Sequence, residues 1–268
     1  MRPRTSHCAP RAAACARLAG FVLATAHASA TPKPRPSRPF FEPQDADLER
    51  PGLMEINSQA GVARDATGVT VIRPDAEIDL GLDDDLEVGL DMSLATTGDA
   101  SFSPSHLTNT SDHLWLHLKT TVQAARDGRA VPAIALQIGP RIPILAGYAG
   151  PGIEGLVIVD GTTNGWQLAA NFGAFVDPRA TTATLPPVGV NLGLDVEHAT
   201  PWRSVSITGE VAGTVDAFDH NHQASGTVGA TFTSAYVTYA AQYVCRYDAA
   251  RAFGQGVLLG ASARFALW

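Results

Sequence analysis

Between Ala76 and Leu94 apolar and polar residues alternate with a period of two. Ala76, Ile78, Leu80 and Leu82 are apolar, whereas Glu77, Asp79 and Gly81 fall on the other side. Successive Cβ atoms of a strand project to opposite faces, so this period predicts a β-strand with one apolar face. Beyond Asp83, Asp84 and Asp85 the parity resumes, with Leu86, Val88, Leu90, Met92 and Leu94 set against Glu87, Gly89, Asp91 and Ser93. A three-residue turn that keeps both apolar sets on one face predicts an antiparallel hairpin. Aspartate favours turns, and a calcium loop of the EF-hand type would need a Gly and a Glu at fixed later positions.

Similar runs recur at 112–123, 132–140, 153–160, 166–176, 188–198, 204–217, 224–233, 235–245 and 256–267. With the hairpin and an opening strand at about 52–62 they make twelve, an even number that suits a transmembrane barrel with both termini on the periplasmic side. The connections assigned to that side (83–85, 124–131, 161–165, 199–203 and a bend at Ser234) are shorter than those assigned outside (63–68, 96–111, 141–152, 177–187, 218–223 and 246–255). In the last run Val257, Leu259, Ala261, Ala263, Phe265 and Leu267 share a face and Trp268 follows, as in the closing strand of an outer-membrane barrel. The expected fold is all-β, an antiparallel transmembrane β-barrel of about twelve strands. A soluble β-sandwich shows the same alternation and is the alternative.

Composition narrows this picture. Residues 1–30 carry Arg2, Arg4, Arg11 and Arg17 and no acid, and an apolar stretch from Leu18 leads to Ala28-Ser29-Ala30. That is the layout of a secretory signal peptide, with cleavage expected before Thr31. Residues 31–51 are rich in Pro and charge and are expected to form an extended N-terminal segment rather than a packed element, with the barrel over 52–268. No run approaches the roughly 20 apolar residues of a helical span, so insertion is expected by strands, in the bacterial cell outer membrane. Without the four early arginines, 15 bases stand against 26 acids, a balance of −11 that argues against nucleic acid as a partner. Cys245 is the one cysteine outside the leader, which leaves no intramolecular disulfide.

The stretch Arg73 to Leu94 resembles the opening hairpin of an outer-membrane β-barrel family described as phenol meta-pathway degradation proteins, often called transporter-like. Pro74, Glu77, Gly81, Leu82, Asp84 or Asp85, Leu86 and Glu87 fill places comparable to that family's PE-x-x-L-x-Y-G-L-x-D-x-L-E pattern. The stretch Ser111 to Ile144 is similar to a second block of the family through Asp112, Leu114, Leu116, Lys119, Pro132, Ala133, Ala135 and Leu136. Trp166, Asn171, Gly173 and the closing GASARF at 260–265 are similar too. Ser111 stands where the family has Gly, Leu80-Gly81 stands for its aromatic-Gly pair, and the chain runs three residues past Phe265. The resemblance implies a barrel that passes small molecules, hydrophobic ones included, and it implies no particular substrate.

Glu77, Asp79, Glu87 and Asp91 lie opposite the apolar face, hence in the lumen of a barrel. There they would act as a cation-preferring constriction or as an ordinary polar lining. His113, Trp115 and His117 alternate along one strand; two imidazoles two residues apart can share a metal only with further ligands, so hydrogen-bonded lumen histidines are the plainer expectation. Asp219-His220-Asn221-His222 has a metal-like look in a polar outer loop. No metal or cofactor is expected. A barrel lipid hydrolase would need Ser, His and an acid together; Ser204 or Ser206 with His198 and Glu197 is the nearest set, but Glu197 and His198 point to opposite faces of one strand, and no G-x-S-x-G elbow occurs. Tyr236, Tyr239, Tyr243 and Tyr247, with Trp202 and Trp268, are placed either to anchor strand ends at the membrane interface or to pack in core and loops. The expectation is a non-enzymatic, porin-like channel or transporter-like protein for small solutes, hydrophobic ones included. Its partners are membrane lipid, the small-molecule solute and the barrel-assembly machinery, with a barrel lipid hydrolase or a soluble periplasmic binding sandwich as alternatives.

Overall fold

The computed structural model describes residues 45–64, 69–92, 95–98, 113–125, 131–143, 150–176, 188–202, 204–216, 222–234, 236–248 and 252–268. The expected signal peptide, residues 31–44, the loop residues Asp219 to Asn221 and the side chains of His113, His222 and Tyr247 lie outside the described residues.

The elements are β1 (Leu53–Arg64), β2 (Val69–Asp83), β3 (Leu86–Met92), β4 (Ala95–Gly98), β5 (His113–Gln123), β6 (Ala133–Pro143) and β7 (Gly152–Thr163). They continue with β8 (Trp166–Val176), β9 (Val188–Ala199), β10 (Val205–Asp216), β11 (His222–Thr233), β12 (Val237–Asp248) and β13 (Ala252–Ala266). Each strand pairs antiparallel with its neighbour in the wall, and β1 closes on β13 from Leu53 opposite Ala266 to Arg64 opposite Gln255. The short β4 follows β3 end to end along β2, so the thirteen segments fill twelve positions of one closed wall. Closure of β1 on β13 joins the two ends of the sheet, which a sandwich does not do; the soluble sandwich is therefore set aside.

The expected hairpin is present, with a tighter turn. Asp84 and Asp85 alone form it, the Asp85 amide donates to Asp83 Oδ1 at 2.9 Å, and a register shift between Gly81 and Asp83 absorbs the odd residue. Asn164 and Gly165 join β7 to β8 with φ of 50° and 79°, the left-handed pair that matches the twist of a two-residue hairpin. Both turns lie at the mouth where β1 begins and β13 ends, here the near mouth.

Burial runs opposite to that of a water-soluble protein. Lys119, Asp79 and Glu87 are 0% exposed, while Leu118, Phe172 and Leu259 are 48%, 54% and 61% exposed. In water each such aliphatic or aromatic side chain would leave on the order of 80 Å² unburied, costing roughly 2 kcal/mol at about 25 cal/mol per Å². Against hydrocarbon that cost vanishes, so the outer face is built for lipid. Exposed Trp166, Trp202, Tyr236 and Trp268 sit at the β7–β8, β9–β10 and β11–β12 turns and after β13, all at the near mouth. That is the girdle position, where an amphipathic ring meets both headgroup and acyl chain.

Candidate functional site

The candidate site is the lumen, and a piece of the chain lies in it. Residues 45–51 form no regular element, yet Asp45, Ala46, Leu48 and Glu49 are buried. The expectation that the segment up to 51 stays unpacked is thus corrected for its last seven residues. The physical reason is ionic: the inward wall supplies partners that no local pattern announces. Lys119 of β5 donates from Nζ to the Asp47 carbonyl at 2.8 Å and lies 3.5 Å from Asp45 and 3.6 Å from Glu87. The Ala46 amide donates to Asp160 Oδ2 of β7 at 3.1 Å, and the Glu49 amide donates to Glu87 Oε2. Arg264 of β13 meets Glu49 at 3.2 Å and Glu55 at 2.7 Å.

These contacts span the barrel. In a wall of twelve positions β13 and β7 stand six places apart in either direction, so the segment crosses the full lumen. Gly81 makes the crossing possible at the wall: a Cβ there would overlap the carbonyl oxygens of Glu49 and Arg50. Pro51 bridges Gly81 in parallel, and the Gly52 amide donates to the Gly81 carbonyl at 3.0 Å.

Around the segment the inward face is divided. One part is apolar: Trp115, Ala133, Ala135, Leu156 and Ile158 form a buried cluster that Ala46 joins from the segment. Another part is acidic. Glu55, Asp79, Glu87, Asp195, Glu197 and Glu210 are all buried, and carboxylates outnumber the inward bases Lys119, Arg141 and Arg264 among the described residues. Near the far mouth Arg141 pairs with Glu154 at 2.6 Å and lies 4.5 Å over the Phe175 ring, and Asn191 donates to the same carboxylate. Gln242 donates to Glu210 at 2.7 Å.

Of the residues singled out from sequence, Asp79, Glu87 and His117 are buried on the inward face, and Glu77 and Asp91 are half-buried beside them. His113 begins β5, with its side chain outside the described residues. Ser204, Ser206, His198 and Glu197 do not converge. Glu197 is buried toward the lumen, whereas the outward His198 ring stacks on Trp166 at 4.3 Å and its Nδ1 lies 3.2 Å from the Gly165 carbonyl. Lys119, Arg264, Asp160 and Glu49 were not singled out as lumen groups. Parity with His117 could have marked Lys119, since both belong to the inward set of β5; nothing in the run 45–51 marks Glu49.

No protein-family profile matches the chain, and no curated protein does. Solved structures do. The COG4313 outer membrane channel from Pseudomonas putida F1 superposes with a TM-score of 0.58 at 12% identity, covering 84% of this chain and 100% of that one. The fold is that of a bacterial outer-membrane β-barrel. A monoaromatic hydrocarbon channel, CymD, follows at a TM-score of 0.44 and 7% identity over 81% of this chain and 89% of its own. An anion-selective porin from Comamonas acidovorans stands at 0.44 and 9%, over 80% and 98%. At such identities the likeness is one of fold.

Proposed function

We propose that this barrel is a non-enzymatic channel for small solutes, narrowed by its own residues 45–51 and preferring cations and neutral molecules to anions. The observation that carries the proposal is the acid-rich inward face around a segment tied across the lumen by Lys119 and Arg264. Fixed carboxylates between low-dielectric walls concentrate cations and repel anions. Lys119, Arg141 and Arg264 each neutralise neighbouring carboxylates, and the inward acids in excess of them among the described residues set the sign of the field.

Planar-bilayer recordings in a KCl gradient test it. The reversal potential should report cation preference, and conductance should be small. Deleting residues 45–51 should raise the conductance several-fold while keeping the sign of selectivity. Anion preference, or no conductance from either protein, would remove the proposal.

The apolar cluster around Trp115, Leu156 and Ile158 favours a second reading in which the cargo has a hydrophobic body. Vesicle uptake of a small aromatic hydrocarbon, faster with the parent than with Leu156→Asp, is its test. Equal uptake by both would sink it.

A further inference from the structure

The geometry points to a divalent-cation site in the lumen, built from Glu77, Asp79 and His117, that takes zinc or an ion of similar softness. One donor atom from each residue can be chosen so that all lie within 4.8 Å of one another. Asp79 and His117 are buried and Glu77 is half-buried. They come from β2 and β5, two strands that are not neighbours, because β3 runs between them.

What lets them meet is Gly89. In register, Asp79 stands opposite Gly89 and Gly89 opposite His117. With any other residue at 89 a side chain would separate the two. A Cβ there would overlap His117 Nε2 and sit 2.6 Å from Asp79 Oδ1. The imidazole reaches across the empty place and stops with Nε2 3.6 Å from Asp79 Oδ1. That is longer than a hydrogen bond and close to the roughly 3–3.5 Å that separates two donors sharing a metal bound at about 2.0–2.2 Å.

The surroundings hold the donors in place. Asn57 Nδ2 donates to Glu77 Oε2 at 3.3 Å, and the Trp115 ring packs 4.6 Å from the imidazole, limiting its rotation. Such outer contacts fix ligand orientation at metal sites. One imidazole with two carboxylates suits zinc and its first-row neighbours; magnesium and calcium prefer oxygen alone, and copper(I) prefers sulfur. Water would complete the coordination. The site stands whether or not the barrel conducts.

The test uses the full-length barrel in detergent, stripped with a chelator and titrated calorimetrically with zinc. One zinc should bind per chain, and a hundredfold excess of magnesium should not displace it. His117→Ala should weaken binding about 100-fold or more, beyond the 10–100-fold typical of outer-shell changes. Gly89→Ala should weaken it too, by placing a methyl group in the cradle. The heat-dependent gel shift shows which variants still close; if His117→Ala does not, Glu77→Gln and X-ray absorption of the zinc-loaded parent decide. The absorption spectrum should show a mixed nitrogen and oxygen shell with imidazole scattering. No stoichiometric zinc, displacement by magnesium, an oxygen-only shell, or variants that fold and bind like the parent would each overturn the assignment.

Discussion

The two faces of β5 carry opposite chemistry on one backbone. Outward, Leu116 and Leu118 are exposed to the surroundings. Inward, Trp115, His117 and Lys119 are buried, and each meets a particular group: the Gly139 carbonyl, Asp79, and the trio of Asp45, Asp47 and Glu87. Lipid accepts any aliphatic side chain of about the right size. A charge sealed in the lumen requires a partner at the right place. The outer face is thus specified by composition and the inner face by geometry.

The largest expected effect comes from removing an inward charge. Lys119→Met leaves Asp45 and Glu87 facing each other without the ammonium, and stability should fall by about 3–5 kcal/mol in denaturant unfolding of the detergent-folded barrel. Adding Glu87→Gln should recover part of that loss, because the two substitutions act on one contact. Next comes a charge on the outer face: Leu118→Arg, on the face turned to hydrocarbon, should cost roughly 2–4 kcal/mol when refolding into lipid vesicles is measured. If Leu118→Arg cost nothing, the lipid-facing assignment of that face would fail.

A smaller effect tests the fit of the segment. Gly81→Ala forces the backbone at Glu49 and Arg50 to move, at about 1–3 kcal/mol. Hydrogen exchange of the Ala46 and Glu49 amides should quicken, since their acceptors are Asp160 and Glu87. Unchanged protection there would mean that the segment is not seated against Gly81. The smallest is Leu118→Ile, which keeps volume at an exposed position of the outer face and should shift stability by less than about 1.5 kcal/mol. A larger loss would mean the outer face is packed as specifically as the inner one.

Much of the wall was legible in advance. The runs expected at 166–176 and 188–198 coincide with β8 and β9 to within a residue, because period-two alternation persists wherever one face meets lipid and the other does not. The hairpin strand expected over 86–94 is present as β3 to Met92, Ser93 and Leu94 lie outside the described residues, and β4 pairs along the same β2 from Ala95. In the lumen, parity marked Asp79, Glu87 and His117 as inward, yet it could not say that Asp79 and His117 meet across Gly89. That meeting depends on register between three strands.

Sequence alone therefore determined the strand pattern, the apolar outer face and the acidic balance, since each is written in neighbouring residues or in composition. Only the tertiary structure decided that residues 45–51 cross the barrel and that Lys119 and Arg264 hold them. Ala46 and Asp160, or Glu49 and Arg264, are separated by more than a hundred positions in the chain. Nothing local encodes such pairs: they exist because closing β1 on β13 encloses a space in which every charge must find its partner.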